Sequence, residues 1–109
     1  MKDKWVAALR SGKYTQGKGY LNNRGQLCCI GVLCDVAGIK TRFNQISGRI
    51  DYKVNPSEEV YAPSMVDVKS HFPKLFEFHN HVDLAEKNDK LGLSFPEIAN
   101  YIEETFPDV

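Results

Sequence analysis

Two adjacent cysteines, Cys28 and Cys29, stand where a basic, glycine-rich stretch meets the most apolar segment of the chain. The stretch from Gly12 to Gly38 reads GKYTQGKGYLNNRGQLCCIGVLCDVAG. A thiol at the start of a buried helix is a recognised setting for a nucleophile, because the helix N-terminus stabilises thiolate. Cys28 or Cys29 would then serve a cysteine-dependent hydrolase or transferase, with His71, His79 or His81 as base. Cysteine is also among the most buried residue types and often only fills space, so both readings stand. The residues before the cysteines suit different chemistry. Lys13, Lys18 and Arg24 supply positive charge, and glycines let backbone N–H groups approach phosphate or carboxylate oxygens. Tyr14 and Tyr20 offer rings for stacking, and Gln16 lies among them. Lys13, Tyr14, Gln16, Lys18, Tyr20 and Arg24 are therefore the expected contacts for a small anionic ligand.

Other constellations are thinner. The stretch is neither a Walker A loop, G-x-x-x-x-G-K-[ST], nor a Rossmann G-x-G-x-x-G after a strand, and no cofactor is expected. His79-Asn80-His81 with Asp83 offers ligand types, but neither a Cys-x-x-Cys pair nor a helical His-x-x-x-His occurs, so no metal site is expected. The string GLSFPEIANYIEE has the form of the supporting helix of a helix-turn-helix. The recognition helix would have to follow it, and only the five residues TFPDV do. Sequence-specific DNA binding is not expected.

The elements that must position these residues can be read along the chain. Residues 3–10 suit a short helix anchored by Trp5, with Ala8 and Leu9 on the same face. Gly19–Asn22 and Gln26–Cys28 read as paired strands joined by a turn over Asn22–Gly25. Residues 29–37 form an apolar, hence central, helix. Gly31 inside it costs roughly 1 kcal/mol against alanine, which implies that another backbone passes close by. Thr41–Ile46 and Arg49–Val54 make a second hairpin around Ser47-Gly48, and Glu58–Ala62 an acidic connection. Pro63-Ser64 starts a helix carrying Met65, Val68 and Phe72, which Pro73 stops. In residues 75–83 neither period is clean, with Leu75, Phe76 and Phe78 expected in the core. Val82–Lys90 reads as a helix, and Ser94 with Glu97 forms a capping box that opens another over residues 95–105. The expected fold is a compact α+β single domain of 109 residues, one or two short antiparallel hairpins packed with four or five short helices. Trp5, Leu9, Leu27, Ile30, Leu33, Val36, Phe95, Ile98, Ile102 and Phe106 are its expected core.

The formal net charge is zero, which argues against a DNA mimic and against a general nucleic-acid coat. It conceals an asymmetry: residues 1–25 carry +5, residues 77–109 carry −6 and the middle +1. Either the two ends pack side by side and neutralise each other, or the basic end holds an anion. Glu103 and Glu104, near the negative end of the last helix dipole, call for a basic partner from the N-terminal region. No apolar run approaches the ~20 residues of a membrane span, and the N-terminus has no apolar signal core. Three cysteines, two of them vicinal, read as free thiols in a reducing cytoplasm.

The pattern A-L-R-S-G-K-Y-x-Q-G-x-G-x-L, then C-C-I-G-V-L-C-D-V-A-G, resembles a family of small uncharacterised bacteriophage- and prophage-encoded proteins. The later strings A-P-S-M-V and L-A-E-K-N-D-K-L-G-L-S-F-P-E-I-A-N-Y-I-E resemble that family's later blocks. The family's Leu-Asn-Asp stands here as Lys87-Asn88-Asp89, with the Asn-Asp pair kept. The resemblance implies a phage origin and a life in the cytoplasm of an infected bacterium, with no catalytic residues to carry over. Accessory phage proteins of this kind commonly act on host machinery or host defence. The expectation is thus a non-enzymatic binding protein taking a nucleotide-type host signal or a host protein. The cysteine enzyme is the second reading. A structural, oligomerising or host-protein-interaction module, marked by a large exposed apolar patch, is the third.

Overall fold

The core grows from the apolar positions of three helices. The computed structural model of the chain describes residues 1–19, 21–23, 25–39, 41–46, 49–53, 59, 61–63 and 65–106. Helix α1 (Lys2–Arg10) buries Trp5, Val6 and Leu9 on one face. Helix α2 (Cys29–Val36) buries Cys29, Ile30, Gly31, Val32, Leu33 and Cys34, so it lies in the centre as a helix apolar nearly all round must. Val36, expected in the core, is only half-buried because the last turn of α2 emerges toward solvent. Helix α5 (Phe95–Thr105) presents Phe95, Ile98, Ala99 and Ile102 to the same core. Its capping box is complete: Ser94 Oγ accepts from the Glu97 amide at 3.4 Å, and Glu97 Oε1 accepts from the Ser94 amide at 3.1 Å.

The charge asymmetry meets at the α1–α5 contact. Lys2 Nζ donates to the Glu103 and Phe106 carbonyls at 3.0 and 2.6 Å, satisfying C-terminal acceptors that have no partner within the helix. Arg10 Nη2 lies 2.6 Å from Glu103 Oε2 and donates to Asn100 Oδ1 at 2.7 Å. The basic partner expected for Glu103 is therefore present, and the two chain ends do pack side by side. Both side chains of the ion pair are about half exposed, so it contributes at most about 1 kcal/mol. It sets orientation more than stability.

Two small sheets complete the α+β fold. In the first, β1 (Thr15–Gln16) pairs in parallel with β3 (Gln26–Leu27), which pairs antiparallel with β2 (Asn22–Asn23). The hairpin expected over Gly19–Asn22 and Gln26–Cys28 is thus shifted and shortened. Asn23, expected in the turn, is a strand residue beside Asn22, and Cys28, expected to end a strand, is the N-cap of α2. The second sheet runs β4 (Thr41–Asn44), β5 (Arg49–Lys53), β6 (Tyr61–Pro63), all antiparallel. Its first two strands match the expected second hairpin. The expected turn Ser47-Gly48 and Val54 lie outside the described residues. β6 replaces what read as a connection and a helix start, and Pro63 is tolerated because β6 is an edge strand.

Helix α3 (Met65–His71) buries Val68. A 3₁₀ segment over Pro73–His79 follows and breaks at Glu77 (ψ 138°) and Phe78 (φ 53°, ψ 27°) before α4 (Asn80–Asp89). That break corrects the expected core. Leu75 is fully buried and Phe76 stacks on His81 with ring centroids 4.1 Å apart. Phe78, turned out by its left-handed backbone, is 92% exposed. Among the described residues no helix is long and apolar enough to cross a membrane.

Candidate ligand-binding segment

The segment from Lys13 to Lys18 is held at several points along its length. Tyr14 donates its hydroxyl to Asp35 Oδ2 on α2 at 2.5 Å. That hydrogen bond, with some burial and the nearby carboxylate charge, pushes the phenol up to about 12, so it stays a neutral donor. Gln16 Nε2 donates to Asn88 Oδ1 at 3.0 Å and to the Leu93 carbonyl at 2.8 Å. The Gly17 amide donates to the Leu27 carbonyl at 2.8 Å, and the Gly17 carbonyl accepts from Asn88 Nδ2 at 2.8 Å. A Cβ at Gly17 would meet Gln26 Cβ at 2.8 Å, so only glycine lets β1 lie this close to β3. Lys13 and Lys18, by contrast, are exposed.

Asn88 organises this arrangement. It is fully buried, and its amide joins the Gly17 carbonyl, the Gln16 amide and the Asp89 carboxylate. Leaving a buried carbonyl such as Gly17's unsatisfied costs about 1–3 kcal/mol. Asn88 was not among the expected site residues. Its signal in the sequence is a polar residue on the otherwise inward side of α4, next to an Asp. Of the six expected contacts, Lys13 and Lys18, five residues apart, are exposed, while Tyr14 and Gln16 are hydrogen-bonded to other side chains of the protein. Tyr20 and Arg24 lie outside the described residues.

The thiols do not resemble an activated nucleophile. Cys29 and Cys34 are buried and Cys28 half-buried, and none of the three is in a disulfide. Burial pushes the Cys28 thiol up, and the Gly31 and Ile30 amides at the start of α2 oppose this only in part. Burial raises Cys29 further, with the neighbouring Cys28 adding to it. The Asp89 carboxylate works in the same direction on both. Cys29 Sγ points to the Leu84 carbonyl at 3.9 Å. His81 is committed to the Phe76 stack, and His71 lies against Phe72. At pH 7.5 Cys28 should therefore react with iodoacetamide about tenfold or more slowly than in the urea-unfolded chain. Cys29 and Cys34 should label only on unfolding. Mass spectrometry of timed labelling checks this, and a Cys28 faster than a free thiol would restore the enzyme reading.

A shallow cleft of about 250 Å³ lies elsewhere, lined by Lys2, Asp3, Val6, Ala7, Arg10 and Glu103. Lys2 and Arg10 are already turned to α5 there. Among the described residues no three His, Cys, Asp or Glu side chains gather to hold a metal ion.

Fold and segment together define a small α+β protein in which a glycine-rich basic segment is clamped between a short strand and a buried asparagine. The chain belongs to the family described as Domain of unknown function (DUF8296), whose model matches residues 1–106. No curated protein and no solved structure matches it.

Proposed function

We propose that the protein is a non-enzymatic binding protein of phage origin, working in the cytoplasm of the infected bacterium. It captures a small anionic ligand of nucleotide type, such as a host defence signal, through Lys13 and Lys18. The observation that carries the reading is the contrast within one segment. The Gln16 side chain and Gly17 backbone are tied to Asn88, Leu93 and Leu27, while the lysines on either side are exposed. A fixed backbone with projecting cations reduces the ordering cost of binding an anion. Tyr14 and Gln16 act as positioning residues here, and Tyr20 and Arg24 complete the proposed ligand set.

The test is a thermal-shift panel of mono-, di- and cyclic nucleotides at low salt. A ligand at 100 times its Kd stabilises by about 2.7 kcal/mol. Each charge-assisted hydrogen bond lost costs about 1.5–3 kcal/mol, so Lys13→Ala with Lys18→Ala should weaken binding by at least about tenfold. A panel without a shift, or a double variant that binds as the wild type does, refutes the reading.

A further inference from the structure

The break between the 3₁₀ segment and α4 leaves one aromatic ring outside the protein. Phe78 has φ 53° and ψ 27°, and a left-handed backbone is a genuine outlier for a bulky side chain. The residue is 92% exposed. The chain on both sides is fixed, so the ring is held outward. Leu75 before it and Leu84 after it are fully buried, Phe76 stacks on His81, and Asn80 Nδ2 donates to the Lys74 carbonyl at 3.3 Å. Strain that the surroundings hold in place gathers at ligand clamps and switch regions. Aromatic side chains are enriched in interface cores, and a rigid backbone beneath one lowers the ordering cost of binding.

The same chain carries a receptor for a ring. The cleft of about 250 Å³ between α1 and α5 is lined by Val6 and Ala7, with Lys2 and Arg10 beside them. A cavity of about 150 Å³ is enough to take a benzene molecule. Lys2 Nζ and Arg10 Nη2 are tied to the end of α5, so their methylene stems are held in place as apolar surface. A ring can enter without either head group leaving its partner. The charges around the two features are opposite. Residues 77–89 carry four carboxylates and one lysine, whereas residues 1–10 carry three basic side chains and one acidic one. Glu77 and Glu86 are exposed on the first, and Lys4 on the second. Opposite potentials steer unlike faces together and keep like faces apart.

We propose that Phe78 of one copy of this chain inserts into the α1–α5 cleft of a second copy. Two different patches meet, so the contact is heterologous. One anchor covers far less than the roughly 1,200 Å² of a stable interface, so association is weak and develops at high protein concentration. The contact does not depend on Lys13 and Lys18 holding a ligand.

Sedimentation equilibrium of the full chain without added ligand, from about 10 μM to about 1 mM, spans the affinities a single anchor gives. Circular dichroism confirms that each variant is folded. The wild type should gain mass with concentration. Phe78→Asn, which suits the left-handed backbone, should weaken association by about tenfold or more. Ala7→Met keeps a good helix former and fills the cleft, and should do the same. Mixed together, these two variants should pair, because one keeps the cleft and the other keeps the ring. Loss of a merely structural residue would not be restored by mixing. A wild type that stays monomeric at about 1 mM overturns the proposal and leaves Phe78 to a different protein. It is equally overturned if Phe78→Asn associates as the wild type does, or if the two variants fail to pair.

Discussion

Replacing Gly31 by alanine is expected to destabilise the protein by about 3 kcal/mol, although alanine is the better helix former. Gly31 lies in the interior of α2, where alanine would be favoured by about 1 kcal/mol on helix propensity alone. Its added Cβ would fall 1.9 Å from the Leu21 carbonyl oxygen and 2.9 Å from the Leu21 carbonyl carbon. The obstructing atoms are backbone, so no rotamer change relieves the clash. Either α2 or the strand entry at Leu21 must move, and overpacking of this kind costs 1–3 kcal/mol and occasionally more. Leu21 is itself buried and leads directly into β2, so the displacement would be felt across the first sheet. Urea denaturation measures the effect as a fall in the midpoint at unchanged slope. If the variant is instead stabilised, the close approach of Leu21 to α2 does not exist in solution.

Trp5→Ala should cost about 4 kcal/mol, the middle of the range for core aromatics. The indole is fully buried, packs edge-on against Phe106 with centroids 6.3 Å apart, and donates Nε1–H to the Cys29 carbonyl at 2.8 Å. One side chain therefore ties α1 to the start of α2 and to the end of α5. Trp5→Phe keeps most of the apolar volume and removes the donor, and should cost about 1–2 kcal/mol. The ratio between the two variants separates packing from the hydrogen bond. A loss of 4 kcal/mol is a large part of the 5–15 kcal/mol that holds a typical domain together, so Trp5→Ala should melt at a much lower temperature than the wild type. Trp5 is the only tryptophan, so near-ultraviolet dichroism or fluorescence can follow unfolding of the other variants. The Trp5 variants need far-ultraviolet dichroism. A cost below 1 kcal/mol for Trp5→Ala would mean that α1 is not docked as described.

The two predictions concern the same frame. α1 leads directly into the Lys13–Lys18 segment and α2 follows directly from β3, so both helices fix the ends of the basic stretch. The α1–α5 contact also bears on how the charge is used. Lys2 and Arg10 are committed to the end of α5; among the described residues up to Gly25, Lys4, Lys13 and Lys18 are the other exposed cations, and only the last two lie in the clamped segment. Charge asymmetry along the chain is thus partly structural, and only its remainder is available to a ligand.

Much of the architecture was legible from local rules. A central α2, the capping box of α5, the anchoring by Trp5, the pairing of the two chain ends and the close approach at Gly31 all follow from periodicity, capping and charge. These depend on residues a few positions apart, or on a glycine whose cost within a helix needs a reason. Phe78, expected in the core, is exposed because of the backbone break at Glu77 and Phe78, which no hydrophobic period records. The parallel pairing of β1 with β3 and the strand β6 were equally hidden. Two- and three-residue strands have too few side chains to show alternation, and their partners are set by distant backbone.

The candidate site divides the same way. Residue type alone marked Lys13 and Lys18 as cations among glycines and Cys28 and Cys29 as thiols at a helix start. Only the tertiary structure showed that burial raises both thiols, that Gln16 and Tyr14 are hydrogen-bonded to distant side chains, and that Asn88 holds Gly17 from 71 residues away. The same holds for Asp51 and Lys53, which are buried although their charges gave no hint of it. Side-chain chemistry is a property of the residue and can be read in the chain. Burial, partners and access belong to contacts between distant segments, and they come into being only when the chain closes on itself.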